Sequence, residues 1–177
     1  MKGRWPLLGV LLGIVALDQA TKLWVRRCLE LHELRPVVEG LLSLSHIRNR
    51  GAAFGILQDA DLPHQSLIFS VVSLAALGAI AYYAFRLPAE ARLPRLALSL
   101  VLGGAVGNLI DRLRFGYVVD FIHVYWKSHQ WPDFNAADSA ITVGVTLLLL
   151  DMLRTPEGQG APKAGIADTP TAAGGTD

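Results

Sequence analysis

The chain has 177 residues, of which 52% are hydrophobic and only 18% charged, with a formal net charge of +1. A soluble domain of ordinary composition carries about 25% charge, and the mean hydropathy here is +0.39, so a membrane-embedded domain is expected. The near-neutral balance and the lack of nucleic-acid-reading motifs exclude a nucleic-acid partner. One cysteine, Cys28, excludes an intrachain disulfide and a cysteine-rich zinc centre.

Lys2 and Arg4 precede an apolar run from Leu7 to Leu17, which imitates a secretory signal peptide. No small-residue cleavage site follows, and apolar character resumes at Leu23-Trp24-Val25. The segment therefore reads as a retained membrane helix over about residues 5–25, with a tryptophan near each end as in aromatic belts. Residues 26–65 come next and hold the alternation Leu42-Ser43-Leu44-Ser45, which predicts a strand. Glu39-Gly40 and Asn49-Arg50-Gly51 read as turns. A second, uncharged span covers about residues 66–85. A short link with Pro88 and Pro94 leads to a glycine-rich span from Leu96 to Ile110, ending near residue 112. Residues 113–135 include Phe115 to Trp126, rich in Val, Ile, Phe and Tyr, which predicts another strand. A fourth span covers about residues 136–153. The tail, 155–177, is rich in Gly, Ala, Pro and Thr and reads as disordered.

The expected architecture is thus one mainly α integral membrane domain over residues 1–154: four transmembrane helices with a small β-sheet and loops at one end. An even number of spans puts both termini on one side. Basic residues divide almost evenly between the two sides, so the positive-inside rule gives no orientation.

Ionisable groups in or beside membrane helices are costly, by about 2.5–3.5 kcal/mol at a helix centre, and are where function is sought first. Here they fall in clusters at one end of the helices. Asp18-Gln19-Ala20-Thr21-Lys22 closes the first span, with Asp18 and Lys22 four apart on one face. Gly103 to Arg112 closes the third; Gly103 and Gly107 have the spacing that permits close helix approach, and Asn108, Asp111 and Arg112 share a face. Its glycines do not match a dinucleotide loop. Asn49-Arg50-Gly51-Ala52-Ala53-Phe54-Gly55 is a loop of small residues around an aromatic. Val118-Val119-Asp120-Phe121 puts a carboxylate in an apolar strand. Phe134-Asn135-Ala136-Ala137-Asp138 opens the fourth span, where Asn135 can cap the helix and Asp138 is equally explained as favourable charge in its first turn.

No Ser-His-Asp or Cys-His set and no G-x-S-x-G elbow is apparent. The histidines, His32, His46, His64, His123 and His129, lack metal-ligand spacing, so no metal is expected. Carboxylates are the best remaining catalytic groups. Two close aspartates split their titrations: one stays protonated and polarises a carbonyl, while the other activates water. The spacing alone does not bring Asp120 and Asp138 together.

These five stretches, in this order and between four helices, resemble the bacterial lipoprotein signal peptidases, also called signal peptidase II. The resemblance covers about residues 5–153. It implies that Asp120 and Asp138 are a catalytic dyad of an aspartic endopeptidase. It also implies that Asn49, Gly51, Asn108, Arg112 and Asn135 line the site, with Asp18, Lys22 and Asp111 supporting them. The implied substrate is a diacylglyceryl prolipoprotein, cut just before its lipidated cysteine. Further implications are a monomer needing no cofactor, contact with membrane lipid, inhibition by globomycin-type cyclic peptides, cytoplasmic termini and a site near the extracytoplasmic face. The rival reading is a small transporter or proton-coupled carrier, disfavoured because the polar residues cluster at one end and no repeat is visible.

Overall fold

The computed structural model describes residues 5–51 and 65–154. The loop residues Ala52, Ala53, Phe54 and Gly55, His64, and the tail 155–177 lie outside the described residues. In chain order the elements are α1 (Trp5–Cys28), β1 (Leu34–Val38), β2 (Leu42–Asn49), α2 (Gln65–Arg86), α3 (Arg92–Phe115), β3 (Val118–Trp126), β4 (His129–Gln130) and α4 (Ala136–Arg154). All four helices are long and apolar enough to cross a membrane. The shortest, α4 with 19 residues, spans about 28 Å at 1.5 Å per residue, close to the ~30 Å of a bilayer core.

α3 is the central helix. Half of its apolar window is buried inside the protein, against 6% for α2, which lies at the edge of the bundle. Glycines explain how α3 packs on two sides. A Cβ at Gly107 would lie 2.5 Å from Asp18 Oδ2, so only glycine lets α1 approach there, and a Cβ at Gly104 would collide with the Ala137 carbonyl of α4. The small-residue pair expected from Gly103 and Gly107 therefore faces α1, and Gly104 serves α4.

α3 is longer than its apolar run suggests. It begins at Arg92 rather than Leu96 because Pro94 sits in the first turn, where its missing N–H is not needed. It ends at Gly116, whose left-handed backbone (φ 77°) lets its N–H donate to the Arg112 carbonyl. The strand expected from Phe115 consequently starts at Val118.

The sheet is four-stranded and antiparallel, in the order β1-β2-β3-β4. β2 runs to Asn49, well past the alternating Leu42–Ser45, and pairs Ile47 with Asp120 and Asn49 with Val118. β1 was not expected from the sequence. It contains Pro36, which edge strands tolerate. Val25 of α1 packs with Val119 and Phe121 of β3, and this apolar seam fixes β3 against the ends of the helices.

Candidate active site

The polar residues meet at the end of the helix bundle under the sheet. Their assembly starts with α1. Asp18 and Lys22, one turn apart, are both almost wholly buried and pair at 2.9 Å. Lys22 Nζ also lies 3.1 Å from Asp111 Oδ2 of α3 and donates to Asn108 Oδ1 at 2.8 Å. One buried ammonium thus faces two carboxylates, which offsets the cost of burying any of them. Backbone N–H groups add to these contacts. Asp18 Oδ1 accepts from the Ala137 N–H at the start of α4 (3.0 Å), and Asp111 Oδ2 accepts from the Val119 N–H (3.1 Å). The cluster therefore ties α1, α3, β3 and α4 to one another.

Sequence reasoning missed one member, Gln19. Its Nε2 lies within hydrogen-bond reach of Asp111 Oδ1 (3.0 Å), the Gly107 carbonyl (3.2 Å) and Asp18 Oδ2 (3.3 Å). The signal was available: Gln19 is an uncharged but polar side chain inside an apolar span, beside Asp18.

Asp120 projects from β3 into this interior and is 2% exposed. Asn49, near the end of the neighbouring strand, donates to its Oδ2 at 2.9 Å, and Asn135 Nδ2 donates to its Oδ1 at 2.7 Å. Burial, followed by the charge of Asp138, pushes the Asp120 carboxyl up from 3.8 to about 7; the two amide donors and Lys22 act in the opposite sense. Asp138, in the first turn of α4, is half-buried. Its Oδ1 accepts from Asn108 Nδ2 at 2.8 Å and its Oδ2 from the Asn135 N–H at 3.2 Å.

Asn135 joins the two aspartates. Its Oδ1 accepts the Asp138 N–H at 3.0 Å, so it does cap α4. The bond from its own N–H back to Asp138 makes a reciprocal cap of the Ser-x-x-Glu kind. Its amide nitrogen points the other way, to Asp120, with the Asn108 side-chain oxygen and the Val119 carbonyl each 3.2 Å away. A cap and a carboxylate clamp are therefore the two ends of one fully buried side chain. The segment leading to Asn135 is pinned to β3, since Phe134 O accepts from the Phe121 and Ile122 N–H groups.

Arg112, on the same face of α3 as Asn108 and Asp111, reaches to the edge of the site. It is half-buried and donates to the Gly51 carbonyl at 3.1 Å, with its guanidinium 5.9 Å from the centre of the Phe69 ring on α2. The Gly51 N–H in turn donates to Asn49 Oδ1 at 2.8 Å. All ten residues singled out from the sequence thus fall in one connected network, with Gly51 and Arg112 at its rim.

A multi-pass bundle of this kind, whose polar interior holds two aspartates spanned by one asparagine, has the makings of a membrane-embedded acid–base hydrolase of the aspartic type. The profile of the family described as Signal peptidase (SPase) II matches residues 10–154. The lipoprotein signal peptidase of Geobacter sulfurreducens is 50% identical over 145 residues, covering 82% of this chain and 89% of that protein. That of Geobacter metallireducens is 49% identical over 155 residues, covering 87% and 94%. A solved bacterial membrane enzyme, determined by the in meso method at 2.3 Å resolution, superposes with a TM-score of 0.75 at 31% identity, covering 84% of this chain and 87% of that one. The chain belongs to the signal peptidase II family, and it is a membrane aspartic peptidase. The transporter reading is not favoured.

Proposed function

We propose that the chain removes the signal peptide from diacylglyceryl prolipoproteins, with Asp120 and Asp138 as its catalytic pair. The observation that carries this reading is the buried residue Asn135, which donates to the Asp120 carboxyl through its side-chain amide and to the Asp138 carboxyl through its backbone N–H, while its side-chain oxygen accepts the Asp138 N–H. Two carboxylates held this way share a proton rather than both ionising. Asp120, raised to about 7, keeps that proton up to about neutral pH and, when protonated, donates a hydrogen bond to the scissile carbonyl. Asp138, more open to its surroundings, takes a proton from water as the water oxygen attacks the carbonyl carbon. The Asp120 proton passes to the carbonyl oxygen, giving a tetrahedral diol. Collapse breaks the C–N bond, the leaving amine takes the proton held by Asp138, and Asp120 recovers its own.

In this reading Asn49 and Asn135 orient Asp120, and Asn108 orients Asp138. Arg112 and Gly51 line the approach, while Asp18, Lys22 and Asp111 brace the helices that carry the pair. The lipid and the signal helix arrive laterally through the bilayer. The cut falls before the lipidated cysteine, on the extracytoplasmic side, with both termini in the cytoplasm. The enzyme acts as a monomer in contact with membrane lipid, and globomycin-type peptides block it.

The test is cleavage of a diacylated prolipoprotein by purified Asp120→Asn and Asp138→Asn. Both are expected to lose cleavage with membrane insertion and thermal unfolding close to wild type. Cleavage retained by either variant would remove that residue from the pair.

A further inference from the structure

One surface cluster takes no part in holding the aspartates. Phe115, the last residue of α3, stacks on Tyr117 with ring centroids 5.9 Å apart. Three arginines from three elements converge on this pair. The Arg26 guanidinium of α1 lies 3.9 Å from the Phe115 ring centre, that of Arg114 of α3 lies 5.0 Å from the same ring, and that of Arg48 of β2 lies 4.9 Å from the Tyr117 ring. All three arginines are exposed. Among the described residues, none of them pairs with a carboxylate. Favourable charge at helix C-termini accounts for Arg26 and Arg114, but not for Arg48, which stands on a strand. Three exposed guanidinium groups around one aromatic pair make a positively charged patch that favours an anion.

The place narrows the ligand. Arg26 and Arg114 sit in the last turns of spanning helices, where the headgroup layer lies, and exposed Trp24 marks the same level on α1. A guanidinium laid on a ring keeps its in-plane N–H groups free at the edge, the geometry that suits phosphate oxygens. Neither the diacylglyceryl group nor the signal peptide of the proposed substrate carries a phosphate, so a phosphate at this place comes from the bilayer or from solution. We propose that Arg26, Arg48 and Arg114, on the Phe115–Tyr117 platform, bind the phosphate of an anionic phospholipid of the surrounding bilayer.

Native mass spectrometry of the full chain in micelles tests this, with phosphatidylglycerol or phosphatidylcholine of identical acyl chains added. Wild type is expected to retain phosphatidylglycerol in preference. Arg26→Gln/Arg48→Gln/Arg114→Gln is expected to lose that preference by roughly a hundredfold, since each arginine near a surface contributes about fivefold. Arg48→Gln alone, with the fold checked by thermal unfolding, is expected to lose about fivefold. Arg86→Gln/Arg92→Gln, at the other end of the bundle, is expected to change nothing. Equal retention of the two lipids by wild type would overturn the proposal, as would undiminished phosphatidylglycerol binding by the triple variant or by Arg48→Gln. Inorganic phosphate that competes as well as the lipid would also overturn it, by marking a site for a soluble anion.

Discussion

Asn135 offers a test that separates holding the fold from holding the proposed catalytic pair. Asn135→Asp keeps the cap, because a carboxylate oxygen still accepts the Asp138 N–H now bonded at 3.0 Å. It removes the amide donor that reaches Asp120 at 2.7 Å and sets a third carboxylate against that pair. A hydrogen bond to a charged group is worth about 1.5–3 kcal/mol, which is about 10- to 150-fold in rate if it is lost where the reaction needs it. Like-charge repulsion in a buried site adds to this, so a fall in kcat of at least about a hundredfold is expected. Asn135→Ala removes the cap as well, at a further cost of about 1 kcal/mol of stability. Cleavage of a diacylated prolipoprotein at saturating substrate, measured beside thermal unfolding, reads both effects. Asn135→Asp turning over within about threefold of wild type would refute the assignment of the amide to Asp120.

Other outcomes follow from the same network. The folded Asp120 value of about 7 lies above its ordinary 3.8, so between these two values the folded state keeps a proton that the unfolded chain has released. The stability this contributes is full below pH 3.8 and is lost as pH rises through about 7. In the proposed mechanism cleavage needs that proton, so it should fall about tenfold per pH unit above that point, and a rate that stays flat to pH 9 would count against a protonated Asp120. Lys22→Met leaves Asp18 and Asp111 buried without their cation and should cost about 3–5 kcal/mol; unchanged unfolding in the same detergent would contradict the ion-pair account. Gly104→Val pushes against the Ala137 carbonyl and Ile141. It should separate α3 from α4, lowering kcat through the Asn108–Asp138 contact, while Gly78→Val on α2, where added atoms meet open space, serves as the neutral control.

Much of this protein is written locally. Four apolar runs of spanning length, interrupted at one end by polar residues, determine the helices, because a bilayer requires length and hydropathy and little else. Asp120 was suspect as an acid in an apolar strand. Arg112 shares a helix face with Asn108 and Asp111 by periodicity alone. β1 was hidden by Pro36, and the first turn of α3 by Pro94, since proline argues against regular structure except at edges and helix starts.

Tertiary structure decided which polar groups meet. Lys22 reaches Asn108 across 86 positions of sequence, and Asn49 reaches Asp120 across 71. Neither contact has a local signature. Asp138 and Asn135 read as an ordinary charged first turn and cap, and the structure shows that they are both; what the sequence could not display is the other end of Asn135, aimed at Asp120. Hydropathy and periodicity report how deep a side chain lies and which face it occupies. They do not report its partner, because the partner is set by how closely α3 packs on α1 and α4, and by the strand register that places Asp120 opposite Ile47.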